Sequence, residues 1–172
     1  MKILIIYATR SGVSRKCAQM LADKLESDAI KVDLFNVEQA PPSPDGYDVA
    51  VVGGSIRMGT LNKKLKKYLK ENAGALNRIH TALFLCCGFS EQVDDYIALN
   101  FPKNIIPSLD IHYFGGEIKP DKVKGIDKLI LKAIISNEKY NSFDDPDPNA
   151  SPLPEIIPEN IFRLADRIRG LL

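Results

Sequence analysis

Apolar, β-branched runs alternate along the chain with stretches whose apolar residues recur at helical spacing. Continuous apolar runs are typical of buried parallel strands, and the helical spacing is typical of amphipathic helices. Strands are predicted over residues 2–7, 30–36, 48–53, 81–87 and 110–114. Helices are predicted over residues 12–27, 61–72, 91–100, 122–136 and 158–171. This alternation predicts an α/β fold with a doubly wound, five-stranded parallel sheet and helices on both of its faces.

Length and composition favour one domain over residues 1–172. A chain of 172 residues buries a sizeable core, and its 45% hydrophobic and 26% charged content is that of a globular protein. Residues 141–158 are dense in Pro, Asp and Asn. We predict a surface excursion there, because the single helix that follows is too small to form a core of its own.

Charge and cysteine content exclude several classes of protein. The formal net charge of +1 argues against general nucleic-acid binding, which requires a clear basic excess. No apolar run is long enough to span a bilayer, and we expect no secretory leader, since Lys2 runs directly into a strand. Cys17, Cys86 and Cys87 lack zinc-site spacing. Their small, odd number favours free thiols in a reducing compartment, so we expect a cytoplasmic protein.

The loop after the first predicted strand has the features of an anion site. Thr9, Ser11 and Ser14 carry hydroxyl donors, and Gly12 allows close approach to the backbone. Arg10 either adds positive charge or points to solvent. The loop ends at a helix N-terminus, where free N–H groups and the helix dipole favour a phosphate.

Two further loops follow strands that end at the same edge of the sheet, where open parallel sheets bind ligands. Residues 53–59 contain three glycines, which indicates close approach by a ligand or by another backbone segment. Residues 87–92 form the third loop, with Asp94, Asp95 and Tyr96 just beyond it. Taken singly, such loops need Gly for turns and Ser or Thr for helix caps whatever the function. Together, the three loops favour a bound ligand.

Two of these loops carry a family resemblance. Thr9-Arg10-Ser11-Gly12-Val13-Ser14 resembles the flavodoxin phosphate loop, Ser/Thr-x-Thr-Gly-x-Thr, with serines that keep the hydroxyls. The loop Gly53-Gly54-Ser55-Ile56-Arg57-Met58-Gly59 is similar to that of the menaquinone-dependent protoporphyrinogen oxidase branch of the flavodoxin-like family. The resemblance implies the flavodoxin-like strand order 2-1-3-4-5.

The resemblance also implies FMN as the cofactor. The phosphate is expected on the first loop and the isoalloxazine ring between the second and third loops, with Tyr96 or Phe89 over one face and Ile56 or Met58 over the other. Backbone groups of Gly54, Ser55 and Gly88 are expected to contact the ring. The full set of predicted FMN-binding residues is Thr9, Arg10, Ser11, Gly12, Val13, Ser14, Gly54, Ser55, Ile56, Arg57, Met58, Gly59, Cys87, Gly88, Phe89 and Tyr96. No catalytic side chain and no metal ligand is predicted.

Three functions remain open at this point. The first is an FMN-binding flavodoxin-like protein that transfers electrons to a redox partner protein. The second is a flavin-dependent protoporphyrinogen oxidase or dehydrogenase with a quinone acceptor. The oxidase branch carries a long basic insertion after strand four, whereas this chain has only residues 88–100 there. The third is a flavin-free interaction domain.

Lysines and cysteines add further alternatives. Helix 61–72 carries the lysines Lys63, Lys64, Lys66, Lys67 and Lys70. They form either a solvated face or a docking surface for an acidic redox partner or an anionic lipid surface. Helix 122–136 is predicted to face the core, with peripheral membrane contact as the less favoured interpretation. Cys86 and Cys87 are predicted to be small apolar core residues, with a redox role next to the flavin as the less favoured interpretation.

Overall fold

The structure is a computed structural model that describes residues 1–88, 90–117 and 154–172. Its centre is a five-stranded sheet in the order β2-β1-β3-β4-β5, and all four neighbouring pairs are parallel. The strands are β1 Lys2–Ala8, β2 Lys31–Asn36, β3 Val49–Ser55, β4 His80–Cys86 and β5 Ile111–Tyr113. The predicted sheet and its order 2-1-3-4-5 are thereby confirmed.

The helices of the described ranges are α1 Val13–Leu25, α2 Lys63–Glu71, α3 Ala73–Leu76, α4 Val93–Asn100 and α5 Pro158–Arg169. The predicted helix 61–72 begins later because the Asn62 side chain accepts hydrogen bonds from the N–H groups of Lys64 and Leu65 and so caps α2. A 3₁₀ turn, Ser90–Gln92, precedes α4. The predicted helix 122–136 lies outside the described residues.

Strand β1 divides the core into two layers, because successive side chains of a strand point to opposite faces. Ile3, Ile5 and Tyr7 pack on one face with α1 and α5. Leu4 and Ile6 pack on the other face with α2 and α4. Helices therefore cover both faces of the sheet, as predicted. Among the described helices, none has the length and apolar character needed to cross a bilayer.

The predicted excursion 141–158 is described only from residue 154 onward. This end of it is hydrogen-bonded to the segment that follows β5. Gly115 and Ile156 form an antiparallel bridge, and the N–H of Gly116 donates to the carbonyl of Glu155 at 3.1 Å. The chain entering α5 therefore runs beside the segment that leaves β5.

Strand order reverses between β1 and β3, since β2 lies on one side of β1 and β3 on the other. Open parallel sheets bind ligands at the carboxyl ends of strands at such a reversal. Ala8 lies beside Gly54, and Ser55 lies beside Cys86. The loops that follow β1, β3 and β4 therefore begin side by side.

Candidate functional site

The first loop presents a helix N-terminus without a cap. Gly12 precedes α1 with a φ of 95°, and no side chain of the described residues caps the helix. Thr9 Oγ1 accepts the N–H of Gly12 at 3.0 Å and so fixes the turn. The first turn of α1 contains no acidic residue. Uncapped N–H groups at the positive end of a helix, with no carboxylate in its first turn, suit an anion.

The side chains of this loop divide between solvent and core. Arg10 and Ser11 are exposed, whereas Val13 is buried. Ser14 is 0% exposed, and its Oγ lies 2.5 Å from Ser55 Oγ. The Ser14 hydroxyl therefore joins the first loop to the second beneath the surface, and its backbone N–H is left as the donor at the helix end.

The second loop is a tight hairpin. Arg57 and Thr60 exchange backbone hydrogen bonds at 3.0 Å, and the residues between them, Met58 and Gly59, have φ values of 48° and 73°. Two successive positive φ values are those of a type I′ turn, which favours Gly or Asn at both positions. Met58 occupies the first of these positions, and its side chain is 73% exposed at the tip of the hairpin. Ile56 and Arg57 are half-buried behind it.

Gly53 and Gly54 are required by another backbone segment. A Cβ on Gly53 would lie 2.1 Å from the carbonyl oxygen of Phe84. A Cβ on Gly54 would lie 2.8 Å from that of Ala8. These two glycines allow β3 to sit between its neighbours, and a ligand is not needed to explain them. Around Gly59 no atom of the described residues lies within 4 Å of an ideal Cβ, so the positive φ is what favours glycine there.

The third loop lies against the end of the sheet. Cys87 is buried, its N–H donates to the carbonyl of Gly115 at 3.0 Å, and its carbonyl accepts the Tyr113 hydroxyl at 3.0 Å. Gly88 is half-buried. Tyr96 is half-buried, donates its hydroxyl to Gln92, and has a raised pKa because burial disfavours the phenolate. Phe89 lies outside the described residues.

Asn100 is a site residue that the sequence analysis did not identify. Its Nδ2 donates to the carbonyl of Gly59 at 2.9 Å and to that of Tyr96 at 3.0 Å. Its Oδ1 accepts the N–H of Leu61 at 2.8 Å. The side chain thus fastens the hairpin to α4. An Asn at the end of a predicted helix was the only available signal, and it does not distinguish this role from an ordinary helix end.

The lysines of α2 divide into two sets. Lys64 pairs with Glu38, and Lys67 pairs with Glu71 at 3.7 Å. Lys63, Lys66 and Lys70 form no ion pair with a described residue. An open groove of about 570 Å³ lies beside them, and the residues lining it are Lys66, Lys70, Leu99, Asn100, Phe101, Pro102, Lys103 and Asn104. No carboxylate of the described residues lines this groove, and Leu99 is 73% exposed.

The described residues contain no group of His, Cys, Asp and Glu side chains that could hold a metal ion. The sequence-predicted loops thus meet at one edge of the sheet, and their chemistry is that of N–H groups, hydroxyls and half-buried apolar side chains.

Comparison with known proteins identifies the family. A family model described as a flavodoxin domain matches residues 4–145. The chain belongs to the flavodoxin-domain family. This flavodoxin-domain protein is also 35% identical over 85 residues to the protoporphyrinogen IX dehydrogenase (quinone) of Escherichia coli K12. The match covers 49% of this chain and 47% of the relative, so the chain spans about half the length of the curated relatives it matches.

Solved structures agree on the fold. A flavodoxin from Streptococcus pneumonia TIGR4 superposes with a TM-score of 0.55 at 13% identity and covers 100% of both chains. An oxidoreductase from Corynebacterium diphtheriae gives a TM-score of 0.52 at 10% identity, covering 99% of this chain and 95% of its own. Flavodoxin 1 from Bacillus cereus gives 0.51 at 13% identity, covering 79% and 95%. The flavodoxin-like fold is therefore established.

Proposed function

We propose that this protein binds FMN and transfers electrons through it. The observation that carries the proposal is the uncapped N-terminus of α1, preceded by Gly12 in the left-handed conformation, at the reversal of strand order between β1 and β3. That reversal is where flavodoxin-like sheets place FMN. When bound, FMN supplies redox chemistry, while the protein orients the ring and adjusts its potential.

The residues at the site fit a phosphate. Backbone N–H groups of Val13 and Ser14, together with the exposed hydroxyl of Ser11, would hold its oxygens. The Thr9 hydroxyl already fixes the turn by accepting the N–H of Gly12. Arg10 is exposed beside the loop and contributes positive charge. Charge-assisted hydrogen bonds of this kind are about twice as strong as neutral ones.

The ring would lie between the second and third loops. Ile56 and Met58 belong to the hairpin, and Tyr96 lies on α4, which Asn100 fastens to that hairpin. These side chains would exclude water from the ring, and the backbone groups of Ser55 and Gly88 would contact its edge. Met58 is already exposed at the hairpin tip, so it can cover a ring without the core having to open.

The test compares FMN with riboflavin, which lacks the phosphate. The purified chain is titrated with each ligand, and binding is followed by the quenching of flavin fluorescence and by the visible spectrum that remains after gel filtration. We expect FMN to bind at least about a hundredfold more tightly, since two charge-assisted hydrogen bonds contribute about 3 kcal/mol or more. Equal affinity for the two ligands contradicts a phosphate site, and a colourless protein supports the flavin-free interaction domain.

A second candidate is protoporphyrinogen oxidation with a quinone acceptor. It is favoured by the 35% identity over 85 residues to a protein named protoporphyrinogen IX dehydrogenase (quinone). The chain has only residues 88–100 where the oxidase branch is expected to carry its insertion. The FMN-loaded protein is therefore mixed with protoporphyrinogen and a menaquinone analogue, and porphyrin fluorescence is recorded. Porphyrin formation above the protein-free rate supports the enzyme. If a general reductant reduces the flavin but no porphyrin forms, the result supports the electron carrier and contradicts the enzyme.

The redox partner is inferred from charge. Lys66, Lys70 and Lys103 line a groove whose described residues include no carboxylate, so an acidic partner protein suits this side of the molecule. A cytoplasmic location remains the expectation from the cysteine content. Fractionation of cells that express the tagged protein tests the location separately from the flavin site.

A further inference from the structure

Two buried thiols lie in contact beneath the first loop. Cys86 Sγ donates to Cys17 Sγ at a distance of 3.8 Å, and both side chains are at most 2% exposed. Cys17 lies in the first half of α1, and Cys86 is the last residue of β4. All three cysteines of the chain are described, and none of them is in a disulfide.

Cys87 does not belong to this pair. Cys86 packs in the layer of the core that contains α1 and α5, whereas Cys87 packs in the layer that contains α2 and α4. Adjacent residues at a strand end point to opposite faces, so the sheet separates the two sulfurs. A disulfide between Cys86 and Cys87 would have to cross the sheet, whereas Cys17 and Cys86 share one face.

The thiol pair is connected to the first loop by hydroxyl groups. Ser14 Oγ lies 2.5 Å from Ser55 Oγ, and the Ser14 side chain partly offsets the rise in the pKa of Cys86. Ser14 and Cys17 lie on the same turn of α1, at a spacing of three residues that places their side chains on one side of the helix. The thiol pair and the Ser14–Ser55 hydroxyl pair thus lie together beneath the first loop, with Ser14 and Cys17 both on α1.

We propose that Cys17 and Cys86 form a reversible disulfide under peroxide, and that this bond weakens the hold of the first loop on phosphate. One thiol sulfur attacks a peroxide oxygen, which gives a sulfenic acid and releases water. The other thiol then attacks that sulfur, forms the S–S bond and releases a second water. In total, two thiols are oxidised to one disulfide, and one hydrogen peroxide is reduced to two water molecules.

The two thiols are unequal, which sets the order of attack. The hydrogen bond that Cys86 donates lowers the pKa of Cys17, although burial opposes this shift. Because Cys86 donates this hydrogen bond and is buried, the pKa of its own thiol is raised. Because the thiolate is the nucleophile, Cys17 attacks the peroxide and Cys86 resolves the sulfenic acid.

Closing the bond changes the loop because the core around it is close-packed. A disulfide sets the sulfurs about 2.05 Å apart, so they must approach by about 1.8 Å from their present 3.8 Å. Cys17 must then move on α1, and Ser14 lies three residues before it on the same helix. Ser14 supplies one of the N–H groups proposed to hold phosphate, so the displacement reaches the site directly. This second half of the inference depends on the proposed FMN site.

The disulfide itself is tested without flavin. The full chain is treated with hydrogen peroxide and then unfolded in the presence of an alkylating reagent, and its intact mass and tryptic peptides are measured. We expect a mass lower by two hydrogen atoms, one alkylated cysteine at Cys87, and a linked peptide pair containing Cys17 and Cys86 that dithiothreitol separates. Cys87→Ser is the matched control and should form the same bond, whereas Cys17→Ser should not. Alkylation of Cys17 or Cys86 after oxidation, or a link to Cys87, overturns the proposal.

The effect on the loop is tested by FMN titration of reduced and oxidised protein. We expect oxidation to weaken FMN binding by about tenfold, the loss of one hydrogen bond to a charged group, and dithiothreitol to restore it. Cys86→Ser, which cannot form the bond, should show no such change. If the disulfide forms and FMN affinity is unchanged, the coupling to the loop is wrong. If the reduced protein binds no FMN, the proposed function fails while the disulfide assignment stands on its mass.

Discussion

The Asn100 side chain donates a hydrogen bond to the carbonyl of Gly59 at 2.9 Å and joins two loops that are about forty residues apart in the chain. The same amide group bonds to Tyr96 and Leu61, and Asn100 is only 5% exposed. A buried amide with three partners fixes the hairpin relative to α4. The two sides of the proposed ring site therefore share one anchor.

Replacing Asn100 by Leu keeps the approximate volume and removes all three hydrogen bonds. The carbonyl of Gly59 and the N–H of Leu61 then lose their partner, so the free energy of unfolding should fall by about 2–4 kcal/mol. Urea denaturation followed by circular dichroism measures this loss. Asn100→Asp is the matched variant, because its carboxylate still accepts the N–H of Leu61 but cannot donate to Gly59. A stability of Asn100→Leu equal to that of the wild type contradicts the anchoring role.

Replacing Gly12 by Ala tests the backbone of the first loop. An added Cβ meets no atom of the described residues within 4 Å, so the cost comes from the φ of +95°. We expect a loss of stability of about 1–2 kcal/mol together with weaker FMN binding. The matched control is Gly74→Ala in α3, where φ is ordinary and the nearest atom lies 3.6 Å away. That variant should be neutral or stabilising by about 0.5–1 kcal/mol and should bind FMN normally.

The backbone conformation of Met58 lowers the stability of the protein, while its side chain is proposed to cover the flavin ring. Its φ of 48° lies in the left-handed region, which Asn tolerates better than Met. Met58→Asn should therefore raise the free energy of unfolding by about 1 kcal/mol. The same change removes an apolar cover, so FMN bound to the variant should fluoresce more strongly than FMN bound to the wild type. A less stable variant would mean that Met58 contributes packing despite its exposure.

The groove lysines should steer charged electron acceptors. We replace Lys66, Lys70 and Lys103 by Gln, reduce the FMN-loaded protein, and follow its reoxidation by stopped flow. Ferricyanide, an anion, should react more slowly with the variant at low salt, and the difference should shrink as the ionic strength rises. Hexaamminecobalt(III), a cation, should react as fast as before or faster.

The charge-matched control for the groove replaces Lys24 and Lys31, which lie outside it, together with Arg163 on α5. This variant loses the same charge and should reoxidise with ferricyanide close to the wild-type rate. An equal decrease in the two variants would assign the effect to net charge, and no decrease in either would exclude docking at the groove.

The sheet and the meeting of its loops could be predicted because they depend on local pattern. The run Lys2–Tyr7 has the length and continuity of a buried strand, and it forms most of β1. Parallel strands place all their carboxyl ends at one edge, so the loops after β1, β3 and β4 had to meet there. Strand periodicity was therefore sufficient for the parallel sheet and for the meeting of its loops, whereas the strand order came from the family resemblance.

The contacts within the site depend on register and could not be predicted. Ser14 reaches Ser55 only because Ala8 pairs with Gly54 and Ser55 with Cys86. The register of the strands does not follow from the sequence. The buried position of the Ser14 hydroxyl and the contact between the Cys17 and Cys86 thiols could therefore not be predicted. The assignment of individual FMN-binding residues stays a prediction for the same reason.

His112 makes stability depend on pH. It is half-buried, its Nε2–H donates to the carbonyl of Leu109 at 2.7 Å, and burial lowers its pKa below 6.5, with Arg167 and Arg163 adding to the shift. The unfolded chain therefore binds a proton at a higher pH than the folded chain. Stability is fully present above the unfolded pKa and falls as the pH drops through it, by at most about 1.4 kcal/mol per pH unit.

Replacing His112 by Gln removes this titration and keeps a side-chain donor for the carbonyl of Leu109. Urea denaturation at several pH values between about 8 and 5 should give a wild-type curve that falls toward low pH more steeply than that of the variant. The two curves should be closest in slope above the unfolded pKa and separate below it, because only there does the unfolded wild type take up the additional proton. Parallel curves over the whole range would mean that His112 is protonated as readily in the folded chain as in the unfolded one, and that its burial carries no electrostatic cost.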